Sequence, residues 1–424
     1  MVSDPAAAAP PGHPVDPPPV RRMVPRDRHE PHRVATPLEL FFDLCFVVAV
    51  GQAGRELAHS LAAGHYGEGL HGYTLTFFAI WWAWMNFTWF ASAYDVDDVP
   101  YRVTTLVQIA GVLILAAGVP RLFATQDLTL SIVGYVVMRL AMVTQWLRAA
   151  AGEQGLARRV ALGYAAGITL CQVGWVVVLF LPPGVRSYVI PVGVLCELAV
   201  PVVAELRMRT SWHPHHIAER YGLFTLIVLG ETVAAATVAV QSAVDEHESP
   251  GRLVPVAVGG LLICFSAWWI YFARSVHEHL RSNRQALVWG YGHYLVFGSA
   301  AAIGTGLEVA VESAVHKAHI SETAATATVT VPTALYLFTV WFLHSRHTKR
   351  GAAAQAVAPT GAVLVLACTA LGGSGVLAAG LVCALMIAVG VLIHGRESKR
   401  AGAGGPGVGG ASAGGPGVGG VGAR

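Results

Sequence analysis

Twelve apolar stretches run along this chain. Each is close to the ~20 residues that an α-helix needs to cross a hydrocarbon layer ~30 Å thick. They lie near 37–58, 70–93, 102–121, 128–149, 158–181, 187–207, 216–240, 253–275, 285–307, 325–345, 359–373 and 376–394, with short polar breaks between them. The pattern predicts an all-α polytopic membrane protein of about twelve transmembrane helices. The eleventh stretch is short, and only Gly372-Gly373-Ser374-Gly375 divides it from the twelfth, so a re-entrant hairpin over 359–394 is the alternative.

Composition agrees with the pattern. Of 424 residues, 54% are hydrophobic and 12% charged, against about 25% charged in soluble domains. A net charge of +3 is too small to imply nucleic-acid binding. The basic residues read instead as orientation signals. With both ends placed in the cytoplasm, 22 of the 28 Lys and Arg fall inside and 5 outside, leaving Arg139 in mid-span. This predicts a multi-pass protein of the plasma membrane with both termini cytoplasmic. The six cysteines sit singly in apolar runs, which argues against a disulfide framework or a structural zinc site.

Residues 1–32, rich in Pro, Ala and then Arg, read as a disordered cytoplasmic arm. Residues 397–424, with AGGPGVGG twice, read as a disordered Gly-rich tail. Between them, Glu39 and Glu219 each open a helix. Ala83-Trp84 and Ala267-Trp268-Trp269 recur at nearly the same offset of 180 to 184 residues. That predicts two parallel six-helix repeats, 33–210 and 211–396, related by rotation about the membrane normal.

The chemistry must come from ionisable groups inside the spans, where each carboxylate costs on the order of 2.5–3.5 kcal/mol. Glu39 and Asp43 lie one helical turn apart on one face, with Asp43 roughly 6 Å deeper. Both also fit a plain helix start, where acids suit the dipole. Arg139 falls near the centre of the fourth span and needs a buried partner, Asp43, Glu197 or Glu231. Glu231 lies deep in the seventh span, and Glu197 precedes the kink residue Pro201 in the sixth. The expectation is one polar pocket of Asp43, Arg139 and Glu231, with Glu39 and Glu219 at its cytoplasmic mouth. Asp95, Asp97, Asp98 and Arg102 form an acidic turn that reads either as a solvated helix cap or as a cytoplasmic gate or vestibule. Trp81, Trp82, Trp84, Phe87, Trp89 and Phe90 crowd the second span and read first as packing. His213, His215 and His216 are broken by Pro214 and do not make a metal site, and His293 reads as a packed, hydrogen-bonded histidine. No Walker A, GxSxG, HExxH or dinucleotide fingerprint occurs in its required context, so neither cofactor, metal nor enzymatic activity is expected.

Several motifs together carry a resemblance: Glu39-Leu-Phe-Phe-Asp43 with Phe46 and Gln52, Trp81-Trp82-Ala83-Trp84, Asp95-Val96-Asp97-Asp98 with Arg102, and Glu219-Arg220-Tyr221-Gly222 running to Gly230-Glu231. In that order they resemble the low temperature requirement A family of bacterial membrane proteins, over roughly residues 33–395. The resemblance implies a polytopic membrane protein and no particular reaction. The function expected is a secondary transporter or proton- or cation-coupled permease. Its partners would be membrane lipids and a small solute or ion, in a chain that can form homo-oligomers. One alternative is an ion channel of six-helix repeats, since Phe42-Asp43 is distantly similar to the FSDG signature of lysosomal-type potassium channels, without its Ser and Gly. Another is a lipid-handling enzyme with acids at headgroup depth.

Overall fold

The computed structural model describes residues 19–28, 30, 33–245, 250–273, 282–346 and 352–403. Among them the regular structure is entirely helical: α1 (Pro37–Ala62), α2 (Tyr66–Tyr94), α3 (Val99–Thr125), α4 (Thr129–Gly152), α5 (Gly155–Val178), α6 (Pro183–Ala204), α7 (Pro214–Asp245), α8 (Pro250–Phe272), α9 (Asn283–Ala314), α10 (Glu322–Val340), α11 (Ala352–Ala367) and α12 (Gly375–Ala403). Each coincides with one apolar stretch of the sequence. By length and composition, ten helical stretches among the described residues could cross a membrane. The last of these, Ala352–Ile393, takes in both α11 and α12. The helix α2 falls outside that set because Trp, Tyr and Thr make up so much of it. The coarse reading therefore stands as a polytopic all-α membrane protein.

The helix ends follow local chemistry. Thr36 and Glu39 form a reciprocal capping box at α1, with Pro37 in the first turn. Asp98 caps α3 by accepting from Tyr101 N at 2.9 Å, and Ser282 and Ser321 cap α9 and α10. Gly372, at φ 56°, makes the sharp turn between α11 and α12, a conformation a side chain would strain.

The helix α2 is the axis of the assembly, with 19 of its 29 residues buried. The helix α1 packs on α2, α3, α7 and α9, and α7 packs on α8 and α9 as well. The pairings α3–α4, α4–α5 and α5–α6 recur six helices later as α9–α10, α10–α11 and α11–α12. At Gly259 and Gly380 the backbones of α8 and α12 approach so closely that a Cβ at Gly380 would lie 2.6 Å from the Gly259 carbonyl oxygen. The opposite flank is loose: α6 buries only Glu197 and Val200, and Leu170, Phe180 and Tyr188 stand exposed as lipid would require.

Two terminal expectations differ from the structure. Within 1–32, residues 19–28 lie along the body rather than detached. Arg22 donates to Gly152 O at 2.7 Å, Arg21 N donates to Asp98, and Met23 is buried. These arginines satisfy helix-end carbonyls and a buried carboxylate, which ties the segment down. In the tail, α12 continues through Ala403. Residues 1–18 and 404–424 lie outside the described residues, as do Arg274, Arg281, Lys349, Arg350 and Arg424 of the topology argument.

Candidate functional site

Successive helices run in opposite directions, so the molecule has a near end, where α1 and α7 begin, and a far end, where they finish. Asp43 and Arg220 each stand six residues into their helix, about 9 Å from its start. There they meet. Arg220 Nε donates to Asp43 Oδ2 at 3.0 Å and Nη2 to Oδ1 at 2.6 Å, a two-pronged pair. Its third nitrogen, Nη1, reaches Glu39 Oε1 at 2.8 Å. His216, one turn earlier on α7, approaches the same carboxylate at 3.2 Å. Trp84 donates to Asp43 Oδ1 at 2.6 Å. Glu39, Asp43, His216 and Arg220 are all 0% exposed. Two carboxylates against one guanidinium therefore fasten α1 to α7 at the near end.

A second ion pair lies on the other side of α2. Arg139 Nη2 donates to Glu197 Oε2 at 2.9 Å. Glu197 also accepts from Trp82 at 3.0 Å, Tyr135 at 3.1 Å, Gln172 at 3.0 Å and Trp175 at 3.2 Å. Arg139 Nε and Nη1 have no hydrogen-bond partner among the described residues. Trp82 and Trp84 are two residues apart, about 200° around the helix. The tryptophans of α2 thus do more than pack: their indoles serve one buried carboxylate on each side.

Glu231 belongs to neither cluster. It is eleven residues beyond Arg220, about 16 Å further along α7. There α1, α7 and α9 part around a cavity of about 280 Å³ at the far end, lined by Arg55, Glu231, Thr232, Thr305, Glu308 and Glu312 among others. Arg55 Nη1 stands 3.9 Å from Glu231 Oε1. A Cβ on Gly51 would fall on the Glu231 carboxylate, so a larger residue there would push that carboxylate aside. Between cavity and ion network sit the rings of Trp84, Phe224 and Phe297, with centroids 4.4 to 5.5 Å apart.

The single pocket of Asp43, Arg139 and Glu231 is therefore corrected to three separate sites. Arg139 takes Glu197, and Asp43 takes Arg220. Arg220 and His216 are the residues missed. The signal that could have found them is their place six and two residues into an apolar helix. Nor is Glu39 at a pocket mouth; it is sealed by Arg220 and His216. Glu219 accepts from Ala35 N at 3.4 Å, at the same near end as Glu39.

The acidic turn is a staple. Asp98 binds Arg148 at 2.7 Å, and Asp97 pairs with Arg102 at 2.7 Å on the surface. Asp95 faces Arg26 at 3.6 Å, and Arg33 donates to the α2 carbonyls of Ala91 and Ser92. The gate reading loses to the helix-cap reading, because the carboxylates are engaged in holding the N-terminal segment to α2, α3 and α4. His293 Nδ1 donates to Trp289 O at 2.7 Å and Nε2 pairs with the Tyr271 hydroxyl at 3.0 Å, as in a packed histidine.

Burial, and then the Glu39 charge, push Asp95 up to about 6 from 3.8. A carboxyl raised in the folded state holds its proton more tightly than in the unfolded chain. Stability is therefore highest below about pH 4 for this group and is lost as pH rises through about 6, by about 3 kcal/mol at most. Asp95→Asn is expected to flatten the dependence of melting temperature on pH between 4 and 7. An unchanged slope in the variant would refute this.

A family model described as bacterial low temperature requirement A protein matches residues 34–392. An uncharacterised protein of Rhizobium meliloti (strain 1021) is 27% identical over 248 residues, covering 55% of this chain and 57% of that relative. The match thus spans a little over half the length of each.

Proposed function

This chain belongs to the bacterial low temperature requirement A family, and from that premise we propose that it is a proton- or cation-coupled secondary transporter of the plasma membrane rather than an enzyme. The observation that carries the proposal is one helix pair in two states along its length. At the near end α1 and α7 are locked by Glu39, Asp43, His216 and Arg220. At the far end the same two helices part around the 280 Å³ cavity that Glu231 lines. A vestibule open to one side, with an ion-pair seal on the other, is what one half of an alternating-access cycle requires.

Twelve crossings fit this reading best. A straight helix over Ala352–Ile393 would be about 63 Å long, twice the hydrocarbon thickness. The turn at Gly372 and the packing of α11 on α12 favour two crossings. Parallel repeats draw support from the recurring helix pairs, although α1 packs on α9 without a matching α7–α3 pairing. The excess of basic residues at the near end favours a cytoplasmic placement, and it persists with the buried Arg220 left out of the count. A small solute or ion, surrounding lipid and a second copy of the chain are the partners this reading takes.

The test is flux. Purified protein in liposomes should dissipate an imposed pH gradient when its solute is added in a mixed metabolite pool. Glu231→Gln should abolish that proton movement at unchanged folding. Wild-type coupling in the variant across pH 6–8 would sink the proposal.

A further inference from the structure

The cavity at the far end has a composition that selects its occupant. Its ionisable lining is Glu231 on α7, Arg55 on α1, Glu308 and Glu312 on α9, and Lys317 beyond α9. His59, on α1, adds its field at Glu308. Three carboxylates face two permanent cations, so the ionised lining carries one net negative charge. The remaining wall is mainly aliphatic, with Val50, Ala235, Val238, Val311 and Val315, and its two hydroxyls, of Thr232 and Thr305, donate to backbone carbonyls. A volume of about 280 Å³ is far more than one water needs, which is on the order of 10–15 Å³ by the same measure. A bare alkali ion would rattle there. Among the described residues, no three His, Cys, Asp or Glu groups converge closely enough to hold a metal ion. The Arg55–Glu231 contact is long, at 3.9 Å, and both side chains are part-exposed, so an incoming cation displaces little.

Resting on the transporter reading, we infer that the solute is an aliphatic ammonium cation, held head-first between the Glu231 and Glu308 carboxylates with its alkyl body on the valine and alanine wall. The charge count chooses a cation over an anion. The apolar wall chooses an organic body over an inorganic ion. One added positive charge neutralises the cavity, whereas a zwitterion leaves its charge unbalanced. A proton and the ammonium head then compete for one carboxylate. Binding of one favours release of the other, which is the chemistry of exchange.

Calorimetric titration of the full-length protein in nanodiscs tests this, with n-butylammonium chloride, leucine, sodium butyrate and potassium chloride as the probes. The expected result is saturable binding of n-butylammonium at least tenfold tighter than any of the others, with proton release at pH 6. Glu231→Gln and Glu308→Gln should each weaken it at least fivefold, and Ala235→Leu should abolish it by filling the wall. A variant that fails to elute as wild type is replaced by Glu231→Asp, which keeps the charge and should keep binding. Equal binding of leucine or butyrate, or amine binding indifferent to both Gln variants, overturns the inference. Absence of amine binding beside intact proton-driven flux overturns it and leaves the transporter reading standing. Amine binding in a protein that moves neither protons nor amine leaves the site standing and removes the transporter.

Discussion

Arg220→Leu is expected to cost the fold roughly 3–5 kcal/mol, the usual result of removing one partner from a buried ion pair. The reason is the charge count at the near end. Arg220 is the guanidinium that meets both Asp43 and Glu39, and all three are 0% exposed. Its loss leaves two carboxylates about one helical turn apart, with Trp84, His216 and the Thr36 amide as the remaining neighbours. Yield of monodisperse protein should fall several-fold, and the melting temperature with it. Arg220→Lys should recover only part of the loss, since one ammonium cannot serve three directions as a planar fork does. Adding Glu39→Gln and Asp43→Asn to Arg220→Gln should restore much of the stability, because no buried charge is then unpaired. That triple variant should still lose proton-coupled flux. A melting temperature of Arg220→Leu within a degree or two of wild type would refute the network's role.

The sequence reading and the structure agree where a single physical rule governs. Apolar length located the helices of the described residues, ten stretches of which are long and apolar enough to cross a membrane, because unsatisfied backbone is costly in lipid. The expense of charge in lipid likewise singled out Glu39, Asp43, Arg139, Glu197 and Glu231, and four of these five are wholly or almost wholly buried. The rest depended on which helices meet. Arg139 had three candidate acids at comparable depth, and only the packing of α4, α5 and α6 chose Glu197. Glu219-Arg220 at the head of a span looks, by sequence alone, like loop charge. Asp43 at the same depth on α1 is what makes Arg220 core. The acidic turn shows the same dependence on distant partners. Asp95, Asp97, Asp98 and Arg102 fit a helix cap or a gate by sequence alone, and the choice rests on Arg21, Arg26 and Arg148, which come from far along the chain.

The second large effect separates the two members of the Arg139–Glu197 pair. Glu197→Leu is expected to be more damaging than Arg139→Leu, although each removes the same 2.9 Å contact. Without Arg139, Glu197 keeps four neutral donors, from Trp82, Tyr135, Gln172 and Trp175, enough to solvate a carboxylate. Without Glu197, Arg139 is 1% exposed with Nε and Nη1 already lacking partners among the described residues, and its last strong acceptor is gone. A buried charge left so costs several kcal/mol. The position of Glu197 adds to the asymmetry. It is one of only two buried residues of α6, so the five donors gathered on it are the main polar anchor of that peripheral helix to α2, α4 and α5, beside the bond from Tyr291 to Leu198 O. Glu197→Leu should therefore expose α6 to proteolysis, with new cleavage between 178 and 210, while Arg139→Leu should lower the melting temperature and leave α6 protected. Glu197→Gln, which keeps the shape and one acceptor, should fall between them. Equal losses in the two Leu variants, with no change in cleavage, would show that α6 is held by its aliphatic contacts and not by Glu197.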